Sequence, residues 1–237
     1  MNKINLIREL DKYQVFNLKR IKDIIGKNND YVKLVIYRLK KQILIFKIEK
    51  NKYTTQRNTW VIASSIIWPS YISCWSALRY YNLTEQLPET FFVISPKQRK
   101  KRILEINNSK IVFIKTTFKS FFGYKKEIYN GFEIFIADKE KAIIDSALFK
   151  KISFSEISEI MRNNKEEINF NLFLDYLIRI KNKALIKRFG FLLDKLKLDT
   201  KKLEEFIDFK YVPLEYSIKF RGKIKNKKWR IIENVEL

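Results

Sequence analysis

Residues 17–54, NLKRIKDIIGKNNDYVKLVIYRLKKQILIFKIEKNKYT, decide the fold. Asn17 is placed to cap a helix, because its side chain can accept from the free N–H groups of a first turn. Leu18, Ile21, Ile24 and Ile25 share one face of that helix, and Gly26 ends it as a C-terminal glycine would. Asn28 or Asn29 caps the next helix, which runs to about Lys41. Its Val32, Val35, Ile36 and Leu39 fall at i, i+3, i+4, i+7 and face inward. The opposite face carries Asp30, Lys33, Leu34, Tyr37 and Lys41. Leu44 to Ile48, a polar turn at Glu49-Lys50-Asn51-Lys52 and then Tyr53-Thr54 read as a short hairpin.

Upstream, Ile4, Ile7 and Leu10 mark one more helix over residues 3–13. Three short helices followed by a hairpin are the pattern of a winged helix-turn-helix, expected over residues 1–56. In that arrangement the third helix enters the major groove and the wing tip meets backbone phosphates. Lys19, Asn29, Lys33, Tyr37, Lys41, Lys50 and Lys52 are therefore the candidate DNA contacts. The same topology also serves as a basic protein-interaction module. Leu34 on the outer face suits either a thymine methyl or a partner chain.

Composition supports a polyanionic partner. Among 237 residues, 49 Lys+Arg stand against 26 Asp+Glu, a formal net charge of +23. Such an excess attracts nucleic acid at long range; the alternative explanation is the compositional bias of a lysine-rich, AT-biased genome. With 46% hydrophobic residues and only 5 Gly and 4 Pro, the chain can bury a core and is not linker-like. A single Cys74 forbids an internal disulfide and argues against a thiolate metal site. The absence of His removes the commonest metal ligand and general base. No catalytic residue, metal or cofactor is expected. The early charges Lys3, Arg8, Glu9 and Asp11 argue against a signal peptide. The most apolar run, Trp60 to Trp68, is too short to span a bilayer. A soluble, cytoplasmic protein without a membrane partner is expected.

The remainder, residues 57–237, reads as a larger mixed α/β domain with a helical C-terminal half and a terminal hairpin, making the whole chain α+β. A helix over 57–67 joins the two parts. Ser73 is expected to cap a helix burying Ala77, Leu78 and Tyr81, and strands are expected at 90–95, 111–115 and 132–137. The cation run from Lys97 to Arg102, with Arg99 and Lys100, is either a phosphate-contacting loop or a solvated one. Asp138 is expected to cap a helix carrying Glu140 in its first turn, with Lys141 and Asp145 paired on its surface. A restriction-type nuclease needs acid-x-lysine, and Glu140 is followed directly by Lys141, so that spacing fails. Further helices are expected at 153–162, 169–181, 184–196 and 200–207. The tail reads as a hairpin through Tyr216, Ile218 and Phe220, turning at Gly222 and returning through Trp229 to Ile232.

In this order the motifs resemble the AbiEi antitoxins of type IV toxin–antitoxin systems. The likeness rests on the winged helix, Pro69-Ser70-Tyr71-Ile72-Ser73 with Ser76-Ala77-Leu78, and Leu83-Thr84-Glu85-Gln86. It continues through Ile136-Ala137-Asp138-Lys139-Glu140-Lys141-Ala142 with Asp145, Lys187-Arg188-Phe189-Gly190-Phe191-Leu192-Leu193, and a closing Trp229-Arg230-Ile231. It spans nearly the whole chain; Lys139 departs from an expected proline, a mild change at a first helical position. The resemblance implies a phage-defence regulator whose winged helix represses its own promoter, as a homodimer or cooperatively. It further implies that the larger domain counteracts an AbiEii-type nucleotidyltransferase toxin. Lys187 and Arg188 join Lys97, Arg99, Lys100 and Arg102 as candidate nucleic-acid or toxin contacts. The alternatives are a stand-alone winged-helix regulator with a dimerisation or sensing domain, and a nuclease or nucleic-acid-modifying enzyme.

Overall fold

The computed structural model describes residues 2–87, 89–218 and 224–237. The chain is mixed α and β, with ten α-helices and three sheets among the described residues. In chain order these are α1 (Lys3–Asp11), α2 (Leu18–Ile25), α3 (Asn29–Lys41), β1 (Phe46–Glu49), β2 (Lys52–Thr54), α4 (Thr59–Ser65), β3 (Tyr71–Ser73), α5 (Trp75–Tyr80), β4 (Thr90–Ser95), β5 (Ile103–Ile106), β6 (Ser109–Lys115), β7 (Tyr124–Tyr129) and β8 (Phe132–Ala137). They are followed by α6 (Lys139–Leu148), α7 (Phe154–Asn163), α8 (Phe170–Ile180), α9 (Lys183–Lys195), α10 (Lys201–Glu204), β9 (Val212–Pro213), β10 (Ile224–Asn226) and β11 (Ile231–Glu233). No described helix is long and apolar enough to cross a membrane.

The chain divides into two compact units. The first is Met1–Ile72 with Glu89–Lys115 and Lys126–Phe135; the second is Ser73–Pro88 with Thr116–Lys125 and Ile136–Leu237. The boundary read from sequence at 56/57 falls inside the first unit.

In the first unit, asparagine starts each of the first three helices. Asn2, Asn17 and Asn28 accept from the backbone N–H of Asn5, Arg20 and Tyr31 at 2.8–3.0 Å. Each satisfies a donor that the first turn leaves open, worth about 1 kcal/mol per cap. Gly26 closes α2 at φ +67°, its N–H bonded to the Lys22 carbonyl. The three helices and the hairpin enclose a core of Leu6, Leu10, Phe16, Ile21, Val32, Ile36, Leu39 and Ile45. β1 and β2 pair antiparallel, Phe46 opposite Thr54, and Phe16 forms an isolated bridge with Tyr53. Most of a six-stranded sheet, in the order β5-β6-β4-β3-β8-β7, also belongs to this unit. β4 and β6 run parallel and β5 returns antiparallel on β6. β4 is buried along Phe91 to Ser95, as its unbroken apolar run requires.

The second unit is largely helical. Asp138 caps α6 by accepting from Lys141 N at 2.8 Å, and Ser153 with Glu156 forms a reciprocal capping box on α7. Phe189 of α9 sits edge-on to Phe154 and Phe173, with centroids 5.3 and 5.0 Å away. Trp229 is fully buried, its indole N–H donating to Asp194 Oδ2 at 2.6 Å.

Two expectations are corrected here. Ser73 lies in β3 rather than capping a helix; α5 begins after Cys74 with no side-chain cap. Lys141 and Asp145 do pair, but both side chains are completely buried, not on a surface. The described part of the tail pairs Ile224–Asn226 with Ile231–Glu233 as an antiparallel hairpin. Asn226 Oδ1 accepting from Trp229 N at 2.9 Å holds the turn between those two strands. Phe220 and Gly222 lie outside the described residues.

Candidate nucleic-acid interface

Helix α3 buries Val32, Ile36 and Leu39 and exposes the side opposite them. On that side Asp30, Lys33, Leu34, Tyr37 and Lys41 are all exposed, and Asn29, exposed in the first turn, lies at the edge nearer Ile36. Tyr37 is 62% accessible and Leu34 43%, large values for side chains of their size. Lys33 Nζ lies 3.0 Å from Asp30 Oδ1 across one turn, an exposed pair of small energetic weight that a phosphate could replace. Tyr31, Arg38 and Lys40, also exposed on α3, flank the stripe. Helical spacing alone places them there, and they extend the set read from sequence.

The other candidate contacts divide in two. Lys19 in the first turn of α2 and Lys50 at the hairpin tip are exposed. Lys19 lines an open cleft of about 400 Å³ with Asn17, Arg20 and Lys52 at the start of α2. Lys52 is instead committed to the fold: its Nζ donates to the Ile66 carbonyl at 2.6 Å and pairs with Glu49 at 2.9 Å.

Arg99 meets the same Glu49. Its Nη2 donates to Glu49 Oε2 at 2.6 Å while the guanidinium lies 4.1 Å over the Phe113 ring. This draws the basic loop against the hairpin within one compact unit. Lys97, Lys100 and Arg102 remain exposed on that loop. Arg99 is thus a strut, and the exposed three are available to solvent or an anion. Burial pushes the Glu49 carboxyl up, but hydrogen bonds and charge from Lys52 and Arg99 outweigh it and hold it below its ordinary 4.5. A lowered carboxylate contributes stability above its ordinary value and loses it as pH falls through the lowered one. Glu49→Gln is therefore expected to destabilise the first unit by about 1–2 kcal/mol at pH 7. The gap from wild type should shrink progressively once the pH drops below 4.5. Urea titrations across that range check both points.

Lys187 and Arg188 belong to the interior, which corrects their grouping with surface cations. Lys187 Nζ bonds the Asp208 carboxylate and the Lys210 carbonyl, and Arg188 Nε donates to the Pro213 and Leu214 carbonyls at 2.9 and 3.1 Å. They anchor the segment that leads into β9.

The remaining motif residues form a buried polar frame around α6. Ser73 Oγ donates to Asp145 Oδ2 at 2.9 Å, and Lys141 Nζ bonds Asp145 Oδ1. Glu140 Oε1 accepts from Asn169 N at 2.7 Å, and Tyr176 Oη donates to Asp138 Oδ2 at 2.8 Å. Burial, with Glu140 adding to it, lifts the Asp138 carboxyl above its ordinary value despite these hydrogen bonds. Burial and the nearby Asp145 likewise push the Cys74 thiol well above its usual range. Each carboxylate here accepts hydrogen bonds that position backbone or a neighbouring side chain. Together they tie α6 to Ser73 and to the start and middle of α8 within the second unit. Among the described residues, no group of three or more Cys, Asp or Glu side chains is gathered as metal ligands would be.

The exposed face of α3 and the residues beside it carry ammonium groups, a phenol and an apolar centre. The chain matches no protein-family model, and no curated protein matches it.

Proposed function

We propose that the chain is a non-catalytic, DNA-binding antitoxin of the AbiEi type, cytoplasmic and encoded beside a nucleotidyltransferase toxin. Its first three helices and hairpin act as a winged helix-turn-helix that represses its own promoter, and the larger remainder counteracts the toxin. The observation that carries the DNA-binding half is the solvent face of α3, where Lys33, Leu34, Tyr37 and Lys41 stand exposed over a closed core. Helices of this size fit the major groove, and flanking lysines meet phosphates on either side. The antitoxin half is supported by the order of motifs across the chain.

Because residue 56 lies inside a compact unit, the two activities are separated by point substitution in the full chain. Lys33→Ala with Tyr37→Ala is expected to weaken promoter binding at least tenfold while growth rescue of cells expressing the neighbouring nucleotidyltransferase persists. Both sites are exposed, so the fold should stand. Absence of rescue by the wild-type chain would overturn the antitoxin reading. Undiminished promoter binding by the double variant would overturn the assignment of α3.

A further inference from the structure

The centre of the exposed α3 face is set by four residues, Asp30, Leu34, Tyr37 and Lys41, at i, i+4, i+7, i+11. Major-groove edges are told apart by matching groups. Guanine takes Arg or Lys at O6 and N7, adenine takes Asn or Gln, cytosine offers its amino group to a carboxylate, and thymine alone presents a methyl. The central stripe contains no Arg, Asn or Gln. Asp30, in the first turn, and Lys41, in the last, stand at the two ends of the stripe. What remains at the middle of the face is a leucine and a phenol ring.

Apolar groups so placed are flanked by three cations and a further tyrosine. Lys33 and Lys40 lie to one side and Tyr31 and Arg38 to the other, all exposed. A second copy of the chain, itself at +23, would bring like charge to this face. A polyanion with apolar knobs between its charges fits it, and duplex DNA rich in thymine is such a surface. Double-stranded RNA is not, because uracil lacks the methyl and the A-form major groove does not admit a helix.

We infer that α3 reads thymine methyl groups through Leu34 and Tyr37, so that the bound site carries A·T pairs beneath them. Affinity then comes from the surrounding lysines and arginine, and sequence preference from apolar contact. The inference rests on the DNA-binding reading and specifies what that surface recognises.

The test uses the full chain. Duplexes are selected from a random DNA library, and the best is resynthesised with each thymine in turn replaced by deoxyuridine, which removes only the methyl. At one to three positions the replacement is expected to weaken binding about fourfold per methyl. Leu34→Ala should bind the thymine duplex more weakly and show less than twofold discrimination at the position Leu34 covers. An RNA duplex of the same sequence should bind at least tenfold more weakly than DNA. Tight binding with no loss on deoxyuridine substitution overturns methyl recognition while leaving DNA binding intact. Equal binding to the RNA duplex overturns it as well. No binding to any duplex sinks the DNA-binding reading itself.

Discussion

Asp145→Ala is expected to destabilise the second unit by about 3–5 kcal/mol, the cost of leaving a buried charge without its partner. The Lys141 and Asp145 side chains are both fully inaccessible, and the carboxylate also accepts from Ser73. Removing it takes the carboxylate away from a fully buried Lys141 ammonium, which also lies 5.2 Å over the Phe122 ring. Ser73→Ala removes one charge-assisted hydrogen bond and should cost less, about 1.5–3 kcal/mol. Lys141→Met with Asp145→Leu removes both charges at similar volume, and should recover most of what Asp145→Ala loses. Urea unfolding followed by tryptophan fluorescence in a Trp60→Phe, Trp68→Phe background, which leaves Trp75 and Trp229 of the second unit, gives the ordering. An Asp145→Ala protein within 1 kcal/mol of wild type would refute the view of this pair as a structural strut.

Gly190→Ala is expected to lose about 3 kcal/mol, although alanine normally gains about 1 kcal/mol over glycine inside a helix. Gly190 lies in α9 where a Cβ would overlap the six-membered ring of Trp229. The indole has nowhere to retreat, being fully buried and tied through its N–H to Asp194. Overpacking therefore outweighs helical propensity. The sign is checked by thermal unfolding of Gly190→Ala, Trp229→Leu and the double variant. Trimming the ring should make the alanine tolerable, so the double variant should be less damaged than the two single losses added together. Strict additivity would argue against the contact.

Local signals carried the parts of the fold whose determinants are local. Asn17, Asn28 and Gly26 bound their helices where expected because capping depends on a few adjacent residues. The strands at 90–95 and 132–137 matched as well, being long apolar or alternating runs. β3 and β5 were missed: three and four residues show no period, and β1 and β2, equally short, were legible only through the polar turn between two apolar runs. β7, at six residues, was missed because Lys125, Lys126 and Glu127 hide it in charge.

Burial was the least legible property. α6 is buried from Glu140 through Ala147, so no polar face exists for Lys141 to occupy, and its charge is met inside by Asp145. Spacing at i, i+4 predicts the pair but says nothing of the depth at which it forms. Lys187 and Arg188 follow the same logic, since α9 is buried from Leu185 through Leu193 and their partners come from residues 208–214, distant in sequence. At the interface, the outer face of α3 was legible because it is the complement of a clear apolar stripe. The Glu49–Arg99 contact that ties the basic loop to the hairpin was not, because it joins residues 50 apart in sequence.

The most direct test of the account is a salt titration of the full chain against a labelled duplex spanning the region upstream of its own gene. If Lys19, Lys33, Lys41 and Lys50 each meet a phosphate, the log–log slope of affinity against salt should be about −3.6 or steeper. Lys33→Ala should flatten it by about 0.9. Binding that is absent, indifferent to salt, or unchanged in slope by Lys33→Ala would contradict the assignment of α3 as the DNA-reading surface.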